Sequence, residues 1–176
     1  IGPPALAPPK RNLLPGLGVR EYAPHASQLD RNLYTGWVEP ADLGNHVGNP
    51  YVIPSLDWKY DSERNAIACG FIEIETPGEY TFRTTTHYAR GLLYINGAIV
   101  NPFRQTGAGV TKVTLPKGLL SLHSYAFTYT RGVIKVEWIP PGQTEFTVIP
   151  SNLLFYDTTG KLPPLPARQP ATTSTN

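Results

Sequence analysis

The segment Cys69-Gly70-Phe71-Ile72-Glu73-Ile74-Glu75 decides the fold class, because Ile72 and Ile74 alternate with Glu73 and Glu75, the period of two that a half-buried strand needs. Directly after it, Thr76-Pro77-Gly78-Glu79 has Pro second and Gly third, the order a type II turn favours. Tyr80-Thr81-Phe82-Arg83-Thr84-Thr85 then resumes the alternation, so the two segments are expected to pair as a hairpin. A polar loop is expected over 86–91. Beyond it, Leu92-Leu93-Tyr94-Ile95 reads as a strand closed by Asn96-Gly97, a dipeptide that tolerates positive φ at both positions and so favours a type I′ turn. Ala98-Ile99-Val100 is the return strand.

The same period continues outward. Residues 110–115 alternate, Pro116-Lys117-Gly118 turns the chain, and 124–130 place Tyr125, Phe127 and Tyr129 on one face. Arg131-Gly132 is expected to turn it back into 133–139, where Ile134, Val136 and Trp138 lie on one side and Lys135 and Glu137 on the other. Pro140-Pro141-Gly142 ends that strand. Roughly eight short strands at this spacing predict an all-β fold, an antiparallel β-sandwich. Residues 20–65 alternate less and are expected to form long loops with one or two edge strands.

Composition agrees with this class. The 176 residues correspond to one domain at roughly 150 residues each, and 16 glycines with 19 prolines exclude an all-helical bundle, since both break helix interiors. The body is expected at 12–160, between a Pro-rich arm at 1–11 and a Pro/Thr/Ser-rich tail at 161–176. Such arms bury too little apolar surface to offset the entropy of ordering, and the tail reads as a flexible terminus or an O-glycosylated stalk. The 15 basic and 13 acidic residues are scattered, so no nucleic-acid partner is expected. No apolar run approaches the roughly 20 residues that span a bilayer, so membrane insertion is not expected. A lone cysteine, Cys69, cannot form an internal disulfide and is expected to be buried and inert. A start at Ile1 without Met reads as a processed or excised segment.

The order of these pieces resembles the protective-antigen-type β-sandwich family. The matching elements are Leu14-Pro15-Gly16-Leu17 with Glu21-Tyr22, Gly70-Phe71, Pro77-Gly78-Glu79-Tyr80-Thr81-Phe82, Leu92-Leu93-Tyr94-Ile95-Asn96-Gly97 with Val100, Leu115-Pro116-Lys117-Gly118, and Ile134-Lys135-Val136-Glu137-Trp138. The resemblance spans 14–156, and its most specific block is 70–100. It implies a module of the kind found in bacterial surface proteins, glycosidases and yeast adhesins. Many carbohydrate-binding members hold Ca²⁺ with two neighbouring aspartates in the loop after the Tyr-Thr-Phe strand. His87-Tyr88 stands there in this chain, and no Asp or Glu lies between Glu79 and Glu137. Ca²⁺ takes six to eight oxygen ligands, so ligand binding without calcium is expected.

Several residues are candidates for contact with a partner. His87, Tyr88 and Arg90, joined by Asn96, Asn101 and Arg104, lie in the loops that the resemblance implicates, where an aromatic ring beside a guanidinium suits stacking on a sugar and hydrogen bonding to its hydroxyls; Tyr88 also reads as a cap of the sandwich. Trp37, Trp58 and Tyr60, with Tyr34 and Tyr51 nearby in sequence, would make an exposed aromatic platform or part of the core. His25, His46, His87 and His123 lack metal-ligand spacing, and Asp57, Asp61 and Glu63 lack the pattern of an EF-hand loop, so neither a metal nor a cofactor is expected. No nucleophile elbow, P-loop or zinc-protease helix occurs. The expected function is a non-catalytic, extracellular or cell-surface module that binds carbohydrate or mediates adhesion. Its alternative is a structural subunit or homo-oligomer that packs against neighbouring subunits through strand edges and Pro-rich arms.

Overall fold

The structure, a computed structural model, describes residues 12–23, 45–61, 64–101 and 107–160. Among the described residues eleven strands follow in chain order: β1 (Leu13–Pro15), β2 (Leu17–Ala23), β3 (Asn45–Ile53), β4 (Asp57–Asp61), β5 (Asn65–Ile74), β6 (Gly78–Ile95), β7 (Ala98–Asn101), β8 (Gly107–Leu115), β9 (Gly118–Ile139), β10 (Thr147–Val148) and β11 (Leu154–Asp157). All pairings are antiparallel. The ladder is continuous, yet it folds into two layers because β6 and β9 are long enough to belong to both. The second half of β6 and first half of β9 join β5, β2, β3, β7, β11 and β1; the first half of β6 and second half of β9 join β8, β4 and β10.

This arrangement confirms the all-β sandwich and corrects several local expectations. The predicted hairpin across Thr76-Pro77-Gly78-Glu79 does not form, because β5 pairs with β9, β2 and β11 while β6 pairs with β8, β9 and β7. The turn, with Gly78 at φ 148°, carries the chain from one layer to the other. Tyr80 locks it by donating its hydroxyl to the Thr76 carbonyl at 2.7 Å. The predicted loop at 86–91 is strand, and the predicted reversal at Arg131-Gly132 is also strand. In both places hydrogen bonding to a distant partner overrides local turn chemistry. The Asn96-Gly97 turn is as expected, with both residues at positive φ, 52° and 75°. The N-terminal part holds more sheet than expected: β2 is flanked by β3 and β5.

Alternation packs the space between the layers. Leu17, Val19, Ala66, Ala68, Ile72, Ile74, Leu93, Ile95, Leu120 and Leu122 from one layer meet Trp58, Tyr80, Phe82, Leu115, Ile134, Val136 and Trp138 from the other. Tyr80 and Trp138 rings lie 5.2 Å apart between centroids, and Phe82 and Trp138 6.2 Å apart, within the range of favourable aromatic contact. The opposite face of the first layer is apolar as well. There Tyr22, Ile67, Cys69, Leu92, Tyr94, Tyr125 and Phe127 form a second buried cluster, with Tyr94 edge-on to Tyr125 at 5.7 Å. β5 is therefore buried on both faces from Asn65 to Ile72, and only its end at Glu73 shows the half-buried alternation.

Two features fix the scaffold and generate tests. At Gly70 a Cβ would run into the Phe155 carbonyl oxygen, with Leu17 Cδ2 at 3.0 Å, so the β5–β11 approach requires glycine. Gly70→Ala is expected to cost about 2–3 kcal/mol, read as a lower urea midpoint at unchanged slope. On the outer face of the second layer, Glu137 Oε2 accepts from Arg83 Nε at 2.9 Å, and its Oε1 lies 3.3 Å from Lys135 Nζ. Desolvation would raise the Glu137 carboxyl, but the bonds from Arg83 and Lys135 outweigh it and hold it below the ordinary 4.5. The stabilisation is therefore present above that ordinary value and is lost as pH falls through the depressed one. Partial exposure of Arg83 and Lys135 limits it to the order of 1 kcal/mol. Glu137→Gln should remove this limb from the acid-unfolding profile.

Candidate functional site

The β6–β9 ladder runs from Thr81 opposite Ile139 to Ile95 opposite Leu122, and its register breaks once, where His87 faces Val133 but Ala89 faces Thr128. Tyr88 alone on β6 thus stands against residues 129–132 of β9, an enlarged bulge. Bulges twist a strand and re-aim its neighbours, and they concentrate near functional sites. This one lies where the two layers part, because the partners of β9 change from β5 to β4 across it.

Register gathers candidates that are far apart in sequence. β4 ends at the bulge with Tyr60 opposite Gly132 and Asp61 opposite Arg131. Val133 faces both Lys59 and His87, so Tyr60 lies one residue beyond the level of His87, on a strand separated from β6 only by β9, about 10 Å away at the usual strand spacing. On the other side Phe127 is paired with both Arg90 and Asn65, and Asn65 is buried. His87 is exposed at this joint. The platform residue Tyr60 and the segment His87, Tyr88 and Arg90, reached by separate readings, therefore belong to one place in the fold.

Other candidates lie elsewhere. Trp58 is only 4% exposed and packs in the inter-layer core, because alternation along β4 turns Leu56 and Trp58 inward and Asp57 and Lys59 outward; it is not part of an exposed platform. Asn96 is the turn residue at the far end of β6, where its N–H donates to Ser121 at 2.9 Å. Nine residue steps along the strand, roughly 30 Å, separate it from His87. Asn101 ends β7 opposite Leu93. Trp37 and Arg104, with Tyr34, His25 and Glu63, lie outside the described residues. Sequence reading missed the contribution of residues 128–132, and its one signal, Arg131-Gly132, was compatible with an ordinary turn.

Among the described residues no three His, Cys, Asp or Glu side chains come together as a metal site. His46 is exposed on β3 and His123 is buried on β9. Cys69 is buried, and desolvation pushes its thiol up from 9.0 to about 12, against a smaller opposing effect of Arg20. The folded chain should therefore leave Cys69 unmodified by a thiolate-directed disulfide reagent at pH 8, with full reaction on unfolding. Because the raised value holds the proton in the folded state, this contribution to stability is complete below pH 9.0 and is lost as pH rises toward about 12.

Comparison with known proteins defines the class: the fold is that of protective-antigen-type (PA14) domains. No protein-family profile matches the sequence, and no curated protein matches it. Among solved structures, the epithelial adhesin 9 A domain from Candida glabrata, in complex with Galβ1-3GlcNAc, superposes with a TM-score of 0.60 at 13% identity, covering 88% of this chain and 95% of that one. The PA14 domain of the antifreeze protein MpAFP gives 0.57 at 15% identity, covering 83% and 94%. An anti-sigma factor domain-containing protein from Clostridium clariflavum gives 0.58 at 19% identity, with 81% of this chain but only 47% of the other covered. This chain thus spans about half the length of that protein. Among the described residues no helix is long and apolar enough to cross a membrane.

Proposed function

We propose that this chain is a non-catalytic carbohydrate-binding or adhesion module that acts outside the cell or at its surface, without calcium, and that its ligand is met at the β6–β9 bulge. The observation that carries this reading is the register that sets Tyr60 of β4 beside the His87–Arg90 stretch of β6. Two tyrosines, a histidine and an arginine within a few strand spacings suit a sugar: aromatic faces stack on its C–H surface, and guanidinium and imidazole N–H groups bond its hydroxyls. A rigid two-layer scaffold under this edge favours binding, since little ordering is required of it. The reading is further supported by the likeness in fold to a yeast adhesin domain complexed with a disaccharide and to a sugar-binding PA14 domain from an RTX adhesin.

Calcium independence rests on composition. From Tyr80 to Val136 the chain has no carboxylate side chain, so β6 beyond Glu79 and β9 up to Val136 offer a hard divalent cation no charged oxygen of their own, and the carboxylate that register brings to the bulge is Asp61 of β4. A glycan array probed with the full chain should give the same bound set in Ca²⁺ and in excess chelator. Tyr88→Ala and Arg90→Ala should each weaken the best glycan about tenfold with unchanged unfolding midpoints. Unchanged binding in both variants would remove the bulge as the site, and binding that vanishes in chelator would overturn calcium independence.

A further inference from the structure

A groove of about 250 Å³ opens on the first layer, away from the bulge, lined by Gly18 and Arg20 of β2, Tyr51 of β3, Gly70 of β5, and Tyr156 and Asp157 of β11. Its two glycines have different standing. Gly70 is required by the close approach of β11, whereas a Cβ at Gly18 would meet only the Cys69 carbonyl oxygen at 3.8 Å and Tyr156 Cβ at 3.9 Å, ordinary contact distances. Gly18 does not have a positive φ, and it lies on a strand paired on both sides. Neither backbone nor packing demands glycine there. A glycine inside a strand weakens it and marks positions where something else comes close; here the missing side chain keeps the groove open between Cys69 and Tyr156.

The lining defines what fits. The walls are apolar and aromatic, from Pro50, Tyr51, Val52 and Tyr156, and the Tyr51 hydroxyl is tied down to Glu21 Oε1 at 3.1 Å. Both kinds of polar group stand at the rim. Arg20 donates to the Gly160 carbonyl and retains further N–H groups. Asp157 Oδ1 accepts from Thr159 N at 2.8 Å and Thr159 Oγ1 at 2.7 Å, which leaves Oδ2 as an acceptor. One guanidinium and one carboxylate balance in charge, so the groove suits a neutral ligand with apolar faces and a belt of hydroxyls. The volume limits it to one ring.

We infer that this groove is a second carbohydrate subsite, built to take a single neutral hexose-sized unit between Tyr51 and Tyr156 over Gly18. It rests on the glycan-binding reading above but uses none of the same residues. Two weak subsites on one rigid body would together hold a branched or repeating glycan more tightly than either alone.

The test is an NMR titration of the uniformly ¹⁵N-labelled full chain with glucose, galactose, N-acetylglucosamine and, as a charged control, glucuronate. A neutral hexose at millimolar concentration should shift the amide signals of Gly18, Gly70 and Tyr156, with glucuronate weaker. Gly18→Val should abolish these shifts at an unchanged or higher melting temperature, because valine suits a strand and fills the groove. Arg90→Ala should leave them intact. Should Gly18→Val fail to fold, Tyr156→Phe keeps the ring, removes one hydroxyl, and should weaken binding several-fold. Shifts confined to the bulge, or groove shifts that persist in both Gly18→Val and Tyr156→Phe, would overturn the subsite and leave the glycan reading standing. A positive glycan array with no groove shift for any neutral hexose would do the same, whereas failure of array and titration together would sink both. Groove shifts produced by a peptide of residues 161–170, and by no hexose, would overturn the sugar assignment in favour of a Pro-rich peptide.

Discussion

Everything in this fold depends on the ladder between β6 and β9. Its hydrogen bonds join Thr81 to the level of Ile139 and Ile95 to the level of Leu122, so each strand passes from one layer into the other without leaving its partner. Other strands dock on the edges of this ribbon: β8 and β7 on β6, β5, β4 and β10 on β9. Partners in the ladder are distant in sequence, and the entropy of closing that loop must be offset before the flanking strands gain by adding to it. Once it forms, the inner faces of both layers are set, since alternation along two strands fixes Phe82, Leu93, Ile95, Leu122, Val136 and Trp138 in the same core.

The break in that ladder is also where we propose that the ligand is met. A strand pair that must bend between layers accommodates the change with extra residues, and residues 129–132 supply them. The bulge brings the end of β4 to the middle of β6, so the backbones of three strands come together at one edge of the scaffold. The groove between Tyr51 and Tyr156 follows the same logic on the other flank, where β11 closes over Gly70 but stops short of filling the space above Gly18.

Much of this was legible beforehand, and the misreadings have a common cause. The alternation at Ile72, Ile74, Ile134, Val136 and Trp138 named inward faces correctly, and Asn96-Gly97 located its turn, because both signals are local. Thr76-Pro77-Gly78-Glu79 was equally clear as a turn, yet the residues around it could not say that β9 would take the place expected for β6 beside β5. The polar run at 86–91 and the Arg131-Gly132 pair are extended for the same reason, each held by a strand that is remote in sequence. Trp58 stayed open between a platform and the core, because the sequence did not say which side of β4 faces inward.

By itself, then, the sequence determined the all-β class, the inward faces of most strands, the buried place of the cysteine and a stretch from Tyr80 to Val136 free of carboxylates. These follow from side-chain period, burial preference and charge, which are properties of neighbouring residues. Only the tertiary structure decided that β6 and β9 run through both layers, that the end of β4 comes level with the bulge, and that a Cβ would collide at Gly70 but not at Gly18. Those are matters of strand pairing across long separations, where the burial and hydrogen bonding of the whole chain, and not any local preference, select the partner.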